Sequence, residues 1–443
     1  MIRWPQSFPF SGLANLVMKK EKHPWYKPRG YVHFDAPLGL VGAEKLAQNP
    51  DKVARHSFYP FIRYGVTTQK VAKNSVTRKV YRKDPKLRHI AFASHADAHI
   101  YAYYSHVLGA AYEERIKCYG LGGSVLAFRS LGKSNIEFAN DAFNEICRVG
   151  ECFVFATDIT GFFDNLDHQI LKKAWIDLVG FESLPKDHYA VFRSLTNYSY
   201  VIKGELFDLL GFSENNAPRA PSRFCSPRDF REKVRYSGLV RRHGEVKGIP
   251  QGSPISAMLS NLYLLEFDRV LRAEVASRGG TYYRYCDDIL CVIPFGNEVG
   301  VLELVENLIS KFGLKINEKK TESIFFREIA GVLVAERPLQ YLGFTFDGSR
   351  KLIRSAAFAK FSEKYRRGVS LARQTARKYK FTKGVKGVWR RQLYERYSHL
   401  GKRNFIRYGL RAAAVMQSRG IRRQLRPLWP RLLKRIEDAN SRI

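Results

Sequence analysis

An α+β architecture is the fold class this sequence predicts, and three observations predict it. Short apolar runs at Cys152–Ala156, Ile289–Pro294 and Tyr341–Phe346 read as buried strands. They alternate with helical periodicities at Leu171–Val179, Leu259–Ala276 and Val299–Phe312, the pattern of helices packed on one sheet. The third observation is a change of charge near residue 350, where a mixed chain gives way to a strongly basic one. With 443 residues, 45% of them hydrophobic and 13% aromatic, the chain is long and apolar enough for a sizeable core. A disordered, collagen-like or low-complexity protein is excluded.

In chain order, the first ninety residues are rich in Pro, Tyr and Lys/Arg and only weakly periodic. Within them Arg78, Lys79, Arg82 and Lys83, followed by Lys86 and Arg88, form a basic cluster. Residues 1–150 are read as one N-terminal unit and 151–346 as the strand-and-helix unit. The Pro-, Arg- and Ser-rich stretch Glu214–Pro227 is read as part of a loop inserted around 214–235. Asp347, Gly348 and Ser349 supply turn chemistry at the boundary of a third unit, 347–443. There Trp389, Leu393, Tyr397 and Leu400 recur at helical spacing, as do Leu425, Leu428, Leu432 and Ile436. Pro427 and Pro430 place the start of the second helix near themselves.

The charge narrows the function. Lys and Arg number 75 against 41 Asp and Glu, a net +34. From Lys351 onward 27 basic residues face only Glu363, Glu395, Glu437 and Asp438, so the last 93 residues carry +23. Self-repulsion of that size favours a polyanionic partner, and basic amphipathic helices suit a phosphate backbone. An acidic membrane surface is the rival partner. Against it, no run of eighteen apolar residues exists, and Met1–Lys20 lacks the apolar core of a signal peptide. A cytoplasmic protein without a membrane partner is expected. The six cysteines form no C-x-x-C pair and have no His at finger spacing, which argues for reduced thiols over zinc or disulfides.

Three segments carry chemistry. Thr281–Pro294 sets the adjacent carboxylates Asp287 and Asp288 between an aromatic and an aliphatic strand, at a hairpin tip open to a cation. Cys152–Asp164 is a buried strand ending at Asp158, followed by Gly161 and two aromatics; helix capping is the alternative role for Asp158. One carboxylate at a strand end and a pair on another hairpin can converge on hard cations. Mg²⁺ takes oxygen ligands and shares them with substrate phosphates. Two such ions, about 3.5–4 Å apart, support in-line phosphoryl transfer. The third segment, Lys247–Asn261, forces a tightly turning backbone into a helix. Its Gln251-Gly252 step lets main chain approach a flat ring or a sugar closely.

In this order the three segments resemble the palm motifs of reverse transcriptases: D-x-x-x-F-F-D at Asp158–Asp164, P-Q-G-x-x-x-S at Pro250–Ser256, and Y-x-D-D at Tyr285–Asp288. Gly313–Thr321 resembles the next palm motif and Tyr341–Phe344 the primer-grip turn. Lys86–Ile90 with Asp97 resembles the fingers motif. The resemblance spans roughly residues 80–346 and implies a right-hand polymerase fold: fingers within 1–150, a palm of antiparallel sheet and helices in 151–346, and a basic helical thumb in 347–443. It implies that Asp158, Asp287 and Asp288 are the catalytic carboxylates, binding two Mg²⁺ (or Mn²⁺) with the Ile159 carbonyl. It also implies Phe163 as a steric gate against a ribose 2′-hydroxyl, and Gln251 and Gly252 lining the incoming nucleotide. Arg88 would clamp its triphosphate, where a guanidinium fork suits phosphate oxygens. Lys320, or the adjacent Lys319, would stand near the leaving pyrophosphate, and Asp164 would order the motif.

The chain lacks the Cys/His-rich endonuclease module of many group II intron proteins and the V-T-G signature of retron enzymes. With only four acidic side chains in 351–443, this stretch is not expected to be an acidic ribonuclease H-like domain. Ala127–Phe143 is similar to bacterial defence-associated reverse transcriptases, and the whole chain to their class-two members. That resemblance implies antiphage defence, dNTP substrates, a structured non-coding RNA as template and a repetitive cDNA product. No protein partner is inferable. Two alternatives stay open: template-independent or protein-primed synthesis, with 24 tyrosines available as primers, and a non-catalytic RNA-binding scaffold. Among lesser features, His95, His99 and His106 suggest a helix. Ala96 stands where a metalloprotease has Glu, so packing or an RNA-facing helix is preferred to a metal. Cys286 reads as a small apolar filler within the hairpin turn rather than a redox switch.

Overall fold

Strands β1 (Phe61–Thr68), β4 (Lys86–Phe92), β6 (Ser199–Ile202) and β7 (Arg241–Arg242) form a sheet in the order β4-β1-β6-β7, while β2 (Val71–Lys73) and β3 (Val80–Arg82) form a separate hairpin. A five-stranded sheet runs β11-β10-β5-β9-β8, from β5 (Cys152–Asp158), β8 (Thr281–Tyr285), β9 (Asp288–Pro294), β10 (Glu322–Ile329) and β11 (Val332–Ala335). A third sheet joins β12 (Leu339–Tyr341), β13 (Phe344–Phe346) and β14 (Lys351–Ile353). This computed structural model describes residues 23–69, 71–73, 80–82, 84–213, 223–384 and 387–443. The expectations for Met1–Lys20, for Arg78, Lys79 and Lys83 of the basic cluster, and for 214–222 fall outside them. No described helix is long and apolar enough to cross a membrane.

The five-stranded sheet is covered on both faces, which is why its central strands read as unbroken apolar runs. On β5, Phe153 and Phe155 join a core with the helices His95–Cys118, His168–Val179, Ser256–Tyr263 and Leu265–Ser277. Cys152, Val154 and Ala156, alternating with them, join a second core with the helix Asn135–Val149 and the C-terminal helices. β9 splits likewise, Cys291 and Ile293 to the first core and Leu290 and Val292 to the second. Even-numbered residues of both strands therefore face the C-terminal helices, and Asp158 and Asp288 share that face.

The α+β expectation holds, with corrections. One sheet was expected; there are several. Tyr341–Phe346 is a hairpin rather than a strand: Tyr341 pairs with Phe344, and Leu342 and Gly343 both have positive φ (45° and 92°), as a type I′ turn requires. The helix expected over Leu259–Ala276 breaks at Leu264 into Ser256–Tyr263 and Leu265–Ser277. Of the expected loop at 214–235, Pro227–Arg235 is helical, burying Phe230 and Val234 against Phe34 and Phe207. The basic C-terminal region begins with β14 paired to β13, then the 29-residue helix Ser355–Lys383. Asp347 accepts hydrogen bonds from the N–H groups of Ser349 (3.2 Å) and Arg350 (2.7 Å), the expected turn.

Of the three histidines in the helix His95–Cys118, His95 and His99 are core groups and His106 is half-buried. His95 Nδ1 bonds Asp35 at 2.9 Å and its Nε2 bonds the Tyr31 carbonyl at 3.0 Å, while His99 stacks on Tyr26. His33, wholly buried, packs edge-on to Phe34 and Phe92. Burial lowers its pKa to about 3, with Asp35 opposing and His95 reinforcing the shift. Below the unfolded pKa near 6.5, only the unfolded chain takes up this proton. The contribution is therefore whole above that pH and lost progressively as pH falls toward 3. In denaturant titrations at pH 7 and pH 5, the wild type is expected to lose about 2 kcal/mol more than His33→Gln. Equal losses would mean that His33 does not titrate in this window.

Candidate active site

The antiparallel pairing of β5 with β9 sets Asp158 directly opposite Asp288, and Tyr285 pairs with Asp288 across the β8–β9 hairpin. Cys286 and Asp287 are thus a two-residue turn, with positive φ on Cys286 (60°). The Ile159 N–H donates to the Asp287 carbonyl at 3.0 Å, which ties the end of β5 to the turn. Like charges opposed across strands repel. Burial first, then Asp287 and Asp158, pushes Asp288 up to about 7; burial and then Asp158 also raise Asp287.

A cation answers this repulsion. Lys320, in the short turn Glu318–Lys320, places its ammonium on Asp158 Oδ2. The turn is held there because the Asn317 N–H donates to the Asp158 carbonyl at 2.7 Å and the Thr160 N–H to the Lys315 carbonyl at 2.9 Å. Lys319 and Lys320 both line the cleft described below, but only Lys320 meets Asp158. Among the described residues no three His, Cys, Asp or Glu side chains form a ready metal cage. The expected carboxylates thus form an opposed pair, Asp158 and Asp288, with Asp287 in the adjoining turn and a lysine counter-ion on Asp158. Oxygen-only donors with surplus negative charge fit Mg²⁺ shared with phosphates, and fit Mn²⁺ likewise.

A cleft of about 600 Å³ opens on the shared face of Asp158 and Asp288. The Leu342-Gly343 turn, Gln340, Asn135 and Arg354 line it as well. Asn135 Nδ2 donates to the Leu342 carbonyl at 3.0 Å and the Arg354 N–H to that of Gly343 at 3.1 Å, so the turn is fixed from two elements.

Phe163, Gln251, Gly252 and Arg88 do not line this cleft; they belong to a second, connected run of backbone. The Ile249 N–H donates to the Phe163 carbonyl at 3.0 Å, and the Ala91 N–H to the Gln251 carbonyl at 2.8 Å. Gly252 has φ +120°, and a Cβ there would lie 2.7 Å from the Ala91 carbonyl oxygen, so only glycine permits this approach. Arg88 is exposed on the same strand as Ala91, and Phe163 is half-buried beside Phe162. Asp164 is exposed in the turn that follows β5. Asp97 is buried, accepting from the Tyr59 N–H (3.0 Å) and bonding His56 Nε2 (2.7 Å), and holds the fold rather than facing the cleft.

Sequence reasoning passed over Arg284 and Asp268, a wholly buried ion pair beside the Cys286-Asp287 turn. The signal was there: β8 alternates, and Tyr282 and Arg284 occupy its buried positions. A charge at an inward position requires a partner.

The family model described as reverse transcriptase (RNA-dependent DNA polymerase) matches residues 105–346, more than half of the chain. No curated protein matches the sequence. Among solved structures, apo telomerase from Candida tropicalis truncated from its C-terminal domain is 12% identical with a TM-score of 0.39, covering 70% of this chain and 59% of that one. The apo telomerase from Candida tropicalis gives 12%, 0.40, 75% and 55%. Telomerase from Candida albicans in complex with a TWJ fragment of telomeric RNA gives 13%, 0.38, 95% and 65%. The chain thus spans less than two thirds of the length of each.

Proposed function

Because the chain belongs to the reverse transcriptase (RNA-dependent DNA polymerase) family, we propose that it is an RNA-directed DNA polymerase acting on deoxynucleoside triphosphates. One observation carries the proposal: Asp158 and Asp288 oppose one another on the face of a sheet that opens into a cleft, with Asp287 beside them. Two divalent ions, when bound, would supply activation of a primer 3′-hydroxyl and neutralisation of the departing oxygen. Asp158, Asp287, Asp288 and the Ile159 carbonyl would hold them. Lys320, already paired with Asp158, is free to move to a leaving pyrophosphate once other cations take up the carboxylate charge. On the second run of backbone, Arg88 would grip the triphosphate and Gln251 and Gly252 would line the nucleotide. We assign fingers, palm and thumb to 1–150, 151–346 and 347–443.

A structured non-coding RNA is the proposed template, with cDNA as product and antiphage defence as role. The supports are the similarity of Ala127–Phe143 to defence enzymes and the +23 carried beyond residue 350. Sequencing the nucleic acid that copurifies with the protein, and the products it makes with dNTPs, tests this. Products complementary to one RNA are expected; random or homopolymeric DNA would remove the template. The gate gives a second check. Phe163→Ala is expected to relax discrimination against ribonucleotides by roughly 10-fold or more, since steric fit in a pocket is worth ~1–3 kcal/mol. Unchanged selectivity in single-nucleotide incorporation would leave Phe163 without that role.

A further inference from the structure

The tip of the β8–β9 hairpin is braced from behind. Arg284 donates through Nε to Asp268 Oδ1 at 2.6 Å and through Nη2 to Oδ2 at 2.5 Å. Its Nη1 reaches Asn261 Oδ1 at 3.2 Å and the Cys286 carbonyl at 3.1 Å. The Tyr282 hydroxyl donates to Asp268 Oδ1 at 2.7 Å. Arg284 is itself fixed, its N–H donating to the Ser124 carbonyl and its carbonyl accepting from the Leu126 N–H. Both charged side chains are fully excluded from solvent.

A buried ion pair is a poor source of stability, because an apolar pair of similar volume does as well or better. What an apolar pair cannot supply is the third arm, to Cys286. That residue carries positive φ without being glycine, a conformation that persists only when its surroundings impose it. Its carbonyl and the Asp287 N–H belong to one peptide plane, so fixing the carbonyl direction fixes the plane from which Asp287 and Asp288 project.

We propose that Arg284 is a positioning residue, whose guanidinium, oriented by Asp268, holds the Cys286 carbonyl and thereby sets the placement of Asp287 and Asp288. The kinetic consequence rests on the polymerase reading; the structural one does not. Supporting groups of this kind are worth about 10- to 100-fold in metal affinity or activity.

The test is the full chain carrying Asp268→Leu with Arg284→Met and Tyr282→Phe, an apolar replacement of the pair and of the hydroxyl that donates to Asp268. Thermal melting should match the wild type. By hydrogen exchange, amides in residues 284–290 should exchange at least ~10-fold faster, and Mn²⁺ added alone should bind ~10-fold or more weakly by calorimetry. In dNTP incorporation, kcat should fall about 10- to 100-fold with KM for dNTP little changed. A folded variant that exchanges, binds Mn²⁺ and turns over as the wild type does would overturn the proposal. Were the wild type itself inactive, the polymerase reading would fail, while exchange and Mn²⁺ binding would still decide the positioning role. If the apolar pair does not fold, Arg284→Lys decides by the same measurements: it keeps the charge facing Asp268 but has no separate arm for Cys286.

Discussion

Asp287→Ala combined with Asp288→Ala is expected to abolish dNTP incorporation, by on the order of 10³-fold or more, while the fold and RNA binding survive. The loss follows from what the carboxylates would do. Charge stabilisation by bound divalent ions is worth several kcal/mol in phosphoryl transfer, and each 1.36 kcal/mol is tenfold in rate. Survival of the fold follows from their placement. Asp288 faces Asp158 across the strands, and burial with two carboxylate neighbours holds its pKa near 7, so ionisation costs the folded state free energy. Removing both side chains relieves that repulsion. The double variant in EDTA should therefore melt at or above the wild-type temperature. RNA binding should persist because the basic helices beyond residue 350 are untouched. Full incorporation by the double variant would exclude the mechanism, and a collapsed melting transition would show that the pair serves the fold instead.

What the sequence made legible follows the range over which each signal acts. β5 and β9 were legible because a strand covered on both faces is apolar without interruption, and Asp158, Asp287 and Asp288 stood out as charges at the ends of such runs. The basic helical C-terminus was legible from charge, but the helix Ser355–Lys383 was not. Only Phe361, Tyr365, Val369 and Ala376 of its residues are buried, too sparse an apolar stripe to stand out among so many Lys and Arg. Residues 23–60 gave weak periodicity because Trp25, Val32 and Phe34 are buried from irregular segments by long-range packing. The Leu342-Gly343 turn was legible only through the resemblance of Tyr341–Phe344 to a primer-grip turn, since an apolar residue at positive φ carries no turn signature of its own. Gln251 and Gly252 were recognised as a unit, yet their neighbour Ala91, some 160 residues earlier, could be found only by folding the chain.

Asp268→Ala is expected to be among the most destabilising single substitutions in the protein, at about 3–5 kcal/mol in denaturant titration. The cost has little to do with the strength of the lost attraction. Arg284 cannot shed its proton, and with no exposed surface it cannot turn to water. Its two arms to Asp268 would be left unsatisfied in the interior, and the Tyr282 hydroxyl would lose its acceptor as well. The exposed pair Arg391–Glu395 is the contrast: similar chemistry, but both groups keep their hydration, and Glu395→Ala should cost less than about 1 kcal/mol. Asp268→Asn, which retains one acceptor oxygen, should fall between the two. The ordering matters more than any single value. If Asp268→Ala cost no more than Glu395→Ala, the guanidinium would have found solvent, and the rigid backing assigned to the Cys286-Asp287 turn would not exist.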